Sequence, residues 1–419
     1  MKVCFETFGC RLNKAEALQM EADYLARGWE RTESHADADL FVIRGCSVTS
    51  HAQSECEKLI AHLKRKHPLA QFRICGCIDK KNLKVPGLES PNVRTPRFPN
   101  LKPQTSNLKL QTSNLKLQTS NLKLQTSNAL PTRTARAYLK VQDGCAGNCT
   151  FCIVPKFRGN SKSEDYVSLL DTAKRFIDAG YHEIVVTGCN LSLYASQGLR
   201  LPDLLTALAG LDAGCRIRLG SIEPGSCALE TVQAMAERPN VCRFLHLTAQ
   251  SGSEKILRAM RRPYSVRDID HVAMTAVKLM PQIGLSCDMM TGFPGETELD
   301  HTASKGLLTR LPFSNAHVFP FSRRPGTPAA VFRDSVSKDI RSARAHDLSK
   351  LVKTKRQAFA KTFIGQTVEI IVEDEKTGRG WSGEYLPCEP VTGTLVRKSR
   401  TSLLVTKAEG DVLYGRPVK

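Results

Sequence analysis

The densest chemistry in the chain lies in DGCAGNCTFCIVPKFRG, where Cys145, Cys149 and Cys152 directly follow the apolar run AYLKV. The C-x3-C-x2-C spacing puts three thiolates on one tight loop. That is enough to hold three irons of a 4Fe–4S cube and leave the fourth open. An open iron can take the amino and carboxylate groups of S-adenosylmethionine (SAM), and one electron passed to the sulfonium then gives methionine and a 5′-deoxyadenosyl radical. The competing reading is structural zinc, which wants a fourth Cys or His close by. The next candidates after Cys152, His182 and Cys189, fall in another element.

Such a loop needs a scaffold, and 419 residues are enough for two to four domains. Fifteen cysteines in a chain without a signal-peptide pattern point to a reducing compartment, where metal or cluster ligation is the better default than disulfides. Cys4, Cys215, Cys227, Cys242 and Cys287 lie beside apolar residues and read as small core hydrophobes. No apolar run reaches membrane-span length, and MKVCFETFGC lacks a signal peptide's charged start and apolar core, so the expected location is the cytoplasm, with no membrane partner. The net charge of +19 favours a polyanionic partner. Much of it is local: residues 323–362 carry eleven Lys/Arg against three Asp.

Residues 1–97 alternate β-rich runs (VCFETFG, LFVI, FRICG) with helical spacing (AEALQMEADYLARG, SECEKLIAHLKRKH), which predicts a small α/β layer with a parallel sheet. Residues 98–132 contain LKPQTSN and then LKLQTSN three times. The leucines cannot form a coiled-coil stripe at this spacing, so the segment reads as a linker. Residues 133–362 contain six strand signals, AYLKV, EIVVTG, RIRLGS, RFLHLT, IGLSCDMMTG and NAHVFPF, separated by helical stretches. They predict an incomplete parallel (β/α)6 barrel with functional groups at the C-terminal strand ends, where the Cys145 loop also falls. Residues 363–419 are short Gly-punctuated strands, including VTGTLVRK, and predict a small antiparallel β-barrel that binds RNA. Arg397, Lys398 and Arg400 cluster in one loop of it and are the candidate RNA contacts.

These pieces together resemble the methylthiotransferase family of radical SAM enzymes over almost the whole chain outside the repeat. TFGCRLN, GCSVT and CGCIDK resemble its N-terminal cysteine motifs; SIEP, AQSGSEKILRAMRRPYS, MMTGFPGETE and HVFPFSRRPGTPAA resemble its later barrel motifs, in the expected order. The resemblance implies an N-terminal auxiliary-cluster domain, a radical SAM barrel and a TRAM-like RNA-binding domain. It makes Cys10, Cys46 and Cys77 the ligands of a second 4Fe–4S cluster beside that of Cys145, Cys149 and Cys152. Each of the three follows a predicted strand, which agrees with one shared sheet edge. Cys75 competes with Cys77 for the third place, and Cys56 reads as packing. Arg44-Gly45 before the second cysteine and Ile-Asp-Lys after the third depart from the usual pattern. In the barrel the resemblance puts SAM near Gly188, Asn190, Ser221, Glu223, Gln250, Phe293 and Pro294, with Phe293 and Pro294 flanking the adenine.

TFGCRLN and HVFPFSRRPGTPAA resemble the group acting on N6-threonylcarbamoyladenosine (t6A). The implied reaction is methylthiolation at adenine C2 next to the anticodon, position 37, by a monomer that binds the tRNA anticodon arm and takes electrons from a reductase- or flavodoxin-type donor. The alternatives are isopentenyladenosine in tRNA, an aspartate of a ribosomal protein, and a non-catalytic Fe–S RNA-binding protein.

Overall fold

The computed structural model describes residues 1–78, 83, 85, 130, 133–333 and 336–418. The LKLQTSN repeat lies outside the described residues.

The N-terminal layer runs β1 (Lys2–Thr7), α1 (Arg11–Leu25), β2 (Glu30–Arg31), β3 (Leu40–Cys46), α2 (Ser50–Lys66) and β4 (Gln71–Cys77). All pairings are parallel, in the order β2-β1-β3-β4. β3 is central and buried throughout, as a β-branched and aromatic run covered on both faces must be. Phe41 and Ile43 pack there against Ile60 and Leu63 of α2, whose start is capped by the Thr49 side chain accepting from the Ala52 amide. Cys46 and Cys77 end adjacent strands in direct register, and Cys10 stands at the N-cap of α1.

The six expected barrel strands all form: β5 (Ala137–Lys140), β8 (Glu183–Thr187), β11 (Arg216–Leu219) with β12 (Ser221–Ile222), β13 (Phe244–Gln250), β14 (Gly284–Thr291) and β15 (Asn315–Pro320). Short ladders decorate the first two units: β6 (Gln142–Asp143) with β7 (Lys162–Ser163), and β9 (Ala195–Ser196) with β10 (Leu199–Arg200). Helices α3 (Val154–Arg158), α4 (Tyr166–Asp178), α5 (Leu201–Ala209), α6 (Ser226–Glu237), α7 (Glu254–Ala259), α8 (Val266–Leu279) and α9 (Glu298–Arg310) alternate with the strands, and α10 (Lys338–Lys361) ends the unit.

The third strand is broken at Gly220. β11 pairs with β8 and β12 with β13, so the break transfers the strand from one half of the curved sheet to the other. A Cβ at Gly220 would stand 3.1 Å from the Val186 carbonyl, which explains the glycine. Alternation then sorts the strands into two faces. Leu139, Val186, Leu247, Cys287 and Met289 join the helix-covered core, whereas His246, Thr248 and Asp288 point the other way, into the lumen.

The C-terminal unit is a closed barrel of β16 (Thr367–Val372), β17 (Gly380–Ser382), β18 (Pro387–Pro390), β19 (Arg400–Glu409) and β20 (Val412–Val418). Two details differ from the sequence reading. VTGTLVRK forms no strand; it bends at Gly393, where φ is +84°. The closure instead uses a parallel β18–β20 ladder among otherwise antiparallel pairs.

This barrel is clamped to the (β/α)6 unit by a buried ionic knot. The fully buried Glu183 carboxylate accepts from Arg218 Nε at 2.7 Å and from Arg216 Nη2 at 2.5 Å. The same guanidiniums reach the Ser382 carbonyl (Arg218, 2.8 Å) and the Glu369 carbonyl (Arg216, 2.7 Å).

Candidate active site

The loop from Gly144 to Cys152 leaves β6 at the C-terminal end of the barrel. The Gly147 amide donates to Cys145 Sγ at 3.2 Å, and a Cβ on Gly147 would lie 3.1 Å from Cys145 Sγ and 3.8 Å from Cys149 Sγ. A side chain there would fill the space between the thiols. Arg262 covers one side: Nη1 donates to Cys149 Sγ at 2.9 Å, and Nη2 to Glu223 at 2.6 Å and to Thr248 at 3.2 Å. Burial pushes the Cys149 thiol up, while Arg262 favours its thiolate. Burial likewise pushes Cys152 up to about 11.

The N-terminal cysteines converge in the same way. Gly9 and Gly76 both hold φ near +92°, a left-handed conformation that glycine adopts without Cβ strain. Each is also tightly packed. A Cβ on Gly9 would meet Cys46 Cβ at 2.9 Å, and one on Gly76 would meet the Gly45 carbonyl at 2.6 Å. Burial raises the Cys46 and Cys77 thiols, and Cys10 is close enough to add to the rise in both. Cys75 turns instead to Arg44 and Met20, with Arg44 Nη1 3.7 Å from its sulfur. Cys56 is wholly buried in the sheet–helix core.

Arg158 joins the two groups. Its Nε donates to Cys77 Sγ at 2.7 Å, and its Nη atoms reach Asn13 and Asp143 at 2.8 Å each and Glu16 at 2.9 Å. Asp143 directly precedes the Cys145 loop, so one guanidinium ties the N-terminal sheet to that loop.

The other expected positions divide. Asn190 caps a short 3-10 turn, and its backbone amide donates to Gln142 Oε1 at 2.9 Å; its Nδ2 is 4.0 Å from Cys145 Sγ. Gly188 abuts Gln142. Glu223 is held by Arg262 beside Cys149, two residues beyond the exposed Ser221. Gln250 has φ +67° and a buried Oε1 without a partner among the described residues, a strained acceptor at a strand end. Phe293 is different. It is fully buried beside Pro294, with its ring 5.4 Å from Phe321, so it braces the strand end rather than lining open space. Arg158, Arg262, Gln142 and Asp143 were not singled out from the sequence, because isolated polar residues far apart in the chain carry no spacing signal.

Arg397, exposed, and the half-buried Lys398 and Arg400 each have partners within the chain. Arg400 pairs with Glu369 at 2.7 Å and donates to the Gly214 carbonyl at 2.7 Å. The Lys398 ammonium lies 4.3 Å from the Tyr181 ring centroid, and Arg397 donates to the Glu373 and Arg133 carbonyls. The three cations therefore also join the C-terminal barrel to its neighbour.

Three soft thiols around a space kept clear by glycine, with guanidiniums on the sulfurs, fit iron–sulfur ligation at each centre. Comparison with known proteins gives the same direction. Residues 139–304 match the radical SAM superfamily model, and residues 2–91 match an uncharacterized protein family, UPF0004. The chain is 29% identical over 385 residues to the threonylcarbamoyladenosine tRNA methylthiotransferase MtaB of Bacillus subtilis, covering 89% of this chain and 85% of that protein. It is 30% identical over 466 residues to a tRNA-2-methylthio-N(6)-dimethylallyladenosine synthase of Methylacidiphilum infernorum, covering 99% and 94%. Among solved structures, the radical SAM methyltransferase TsrM of Kitasatospora setae superimposes with a TM-score of 0.52 at 14% identity, over 79% of this chain and 74% of that one. That likeness is one of fold.

Proposed function

The chain belongs to the radical SAM methylthiotransferases, and from that premise we propose that it methylthiolates C2 of t6A at tRNA position 37. The family acts on tRNA with SAM and 4Fe–4S clusters. SAM and the clusters supply the radical, the sulfur and the methyl group when bound.

The chain's own residues do the rest. Cys145, Cys149 and Cys152 would hold the SAM-binding cluster, and Cys10, Cys46 and Cys77 the auxiliary one. Arg262 and Glu223 shield Cys149 and orient the strand end beside it. The unpartnered Gln250 Oε1 would be available to accept from SAM. Arg158 fixes the auxiliary centre against the Cys145 loop, and this bridge is the observation that best supports one site built from two centres. Leu18 and Ala15 of α1 pack on Tyr138 and Val185, which closes that side of the barrel against water.

TFGCRLN and the relationship to MtaB support t6A, whereas the dimethylallyladenosine synthase relationship favours the isopentenyl reading. The anticodon arm would lie along α10. Lys338, Lys350, Lys353 and Lys361 are exposed there and fall within an arc of about 140° at 100° per residue. A monomer fed by a flavodoxin- or reductase-type donor completes the reading.

The test separates the centres. Replacing Cys145, Cys149 and Cys152 with Ala abolishes reductive SAM cleavage. The same change at Cys10, Cys46 and Cys77 leaves cleavage and stops sulfur insertion. Methylthio product from the second variant would refute the auxiliary assignment.

A further inference from the structure

Three titratable side chains on consecutive barrel strands are used by none of the steps above. His246 on β13, Asp288 on β14 and His317 on β15 form one polar row. Asp288 Oδ1 lies 3.2 Å from His246 Nε2 and 3.3 Å from His317 Nδ1. Asp288 and His317 are direct register partners across the β14–β15 ladder.

The row faces the lumen. Its sequence neighbours Leu245, Leu247, Cys287 and Met289 are buried under the helices, and Ala316 and Val318 pack against that same core. His246 and Asp288 are largely covered, with side chains 16% and 20% exposed, whereas the His317 side chain is 74% exposed. A buried carboxylate thus holds an imidazole whose other edge is open. The Asp288 hydrogen bond raises the His317 pKa above its usual value.

The row also has a fixed relation to the Cys145 loop. Arg262 contacts both Cys149 and Thr248, and Thr248 stands two residues beyond His246 on the same strand face. Same-face neighbours on a strand are roughly 6.6 Å apart, so the row lies one layer below the layer that meets the cysteines. C2 and the N6 substituent flank N1 of adenine. A base that presents C2 to the upper layer can therefore carry its N6 arm into the layer of His317.

From this juxtaposition we infer that His317, oriented by Asp288 and His246, pairs with the carboxylate of the N6 substituent and selects t6A over an apolar N6 group. The inference rests on the t6A reading above. The contact is a charge-assisted hydrogen bond between imidazolium and carboxylate, with Asp288 holding Nδ1 and leaving Nε2 for the substrate. Asp288 and His246 are positioning residues.

The experiment uses full-length protein reconstituted anaerobically and anticodon stem-loops that differ only at N6 of adenosine 37: threonylcarbamoyl, isopentenyl or unmodified. Wild type should bind the threonylcarbamoyl loop at least about tenfold more tightly than the unmodified one. His317→Ala should remove that preference and leave unmodified-loop affinity and tRNA-free SAM cleavage unchanged. His317→Gln, which keeps a hydrogen bond without the charge, should restore part of it. A preference that survives in His317→Ala overturns the inference. Failure of the underlying reading looks different: wild type would methylthiolate the isopentenyl loop and leave the threonylcarbamoyl loop unchanged.

Discussion

Arg158 Nε donates to Cys77 Sγ at 2.7 Å across the boundary between the N-terminal sheet and the barrel. The same guanidinium holds Asp143 next to the Cys145 loop, so one side chain spans the two thiol groups. Arg158→Ala leaves Glu16 and Asp143 with a partner removed in a site that is mostly buried. Breaking such a pair costs about 3–5 kcal/mol. Equilibrium denaturation should show that loss, and an unchanged midpoint would refute the bridge.

A pH dependence follows from the same network. Burial alone would raise the Glu16 and Asp143 carboxyls, but hydrogen bonds and charge from Arg158 and Lys140 outweigh it and hold both below the ordinary carboxylate range. Depressed folded-state values mean that their stabilisation is fully present above about pH 5. It fades as the pH falls below about 4 toward the folded values. The Glu16→Gln/Asp143→Asn variant should therefore lose stability less steeply between about pH 5 and pH 3 than wild type. Parallel curves would contradict the assignment.

Glu183 offers a third test, remote from the cysteines. Its carboxylate pairs with both Arg216 and Arg218, which in turn grip carbonyls of the C-terminal barrel. Glu183→Ala strands two buried guanidiniums and should destabilise the chain by about 3–5 kcal/mol. Limited proteolysis should then cut faster near residues 362–366, and an unaltered pattern would show that the knot does not hold the unit.

What was legible beforehand had a local signature. The Cys145, Cys149 and Cys152 triplet, the six strand–helix units and the small terminal barrel follow from spacing and periodicity within short windows, whereas Cys10, Cys46 and Cys77 were implied by the family resemblance of their motifs. Arg262 touches Cys149 from 113 positions away, and Arg158 touches Cys77 from 81. A lone arginine in a loop looks the same whether it caps a thiol or faces water, so neither was found. The Arg397–Arg400 cluster shows the converse. A run of cations reads as a solvated or nucleic-acid face, and only tertiary packing against Glu369, Gly214 and Tyr181 reveals it as a docking surface.

Those contacts bear on the expected salt behaviour. Arg397, Lys398 and Arg400 to Ala should loosen the C-terminal barrel without altering the slope of log affinity for tRNA against log salt. Lys338, Lys350, Lys353 and Lys361 to Ala should flatten the slope, by up to about 0.7–0.9 for each phosphate that is no longer neutralised. The reverse pattern, measured by titration at several salt concentrations, would move the anticodon arm from α10 back to the loop.

Methylthiolation of t6A is read out by mass spectrometry of nucleosides from tRNA incubated anaerobically with the reconstituted full-length protein, SAM and a reductant. t6A should gain a methylthio group while isopentenyladenosine in the same pool stays unmodified. Methylthio-isopentenyladenosine with untouched t6A, or no methylthio nucleoside at all from protein carrying both clusters, would contradict it.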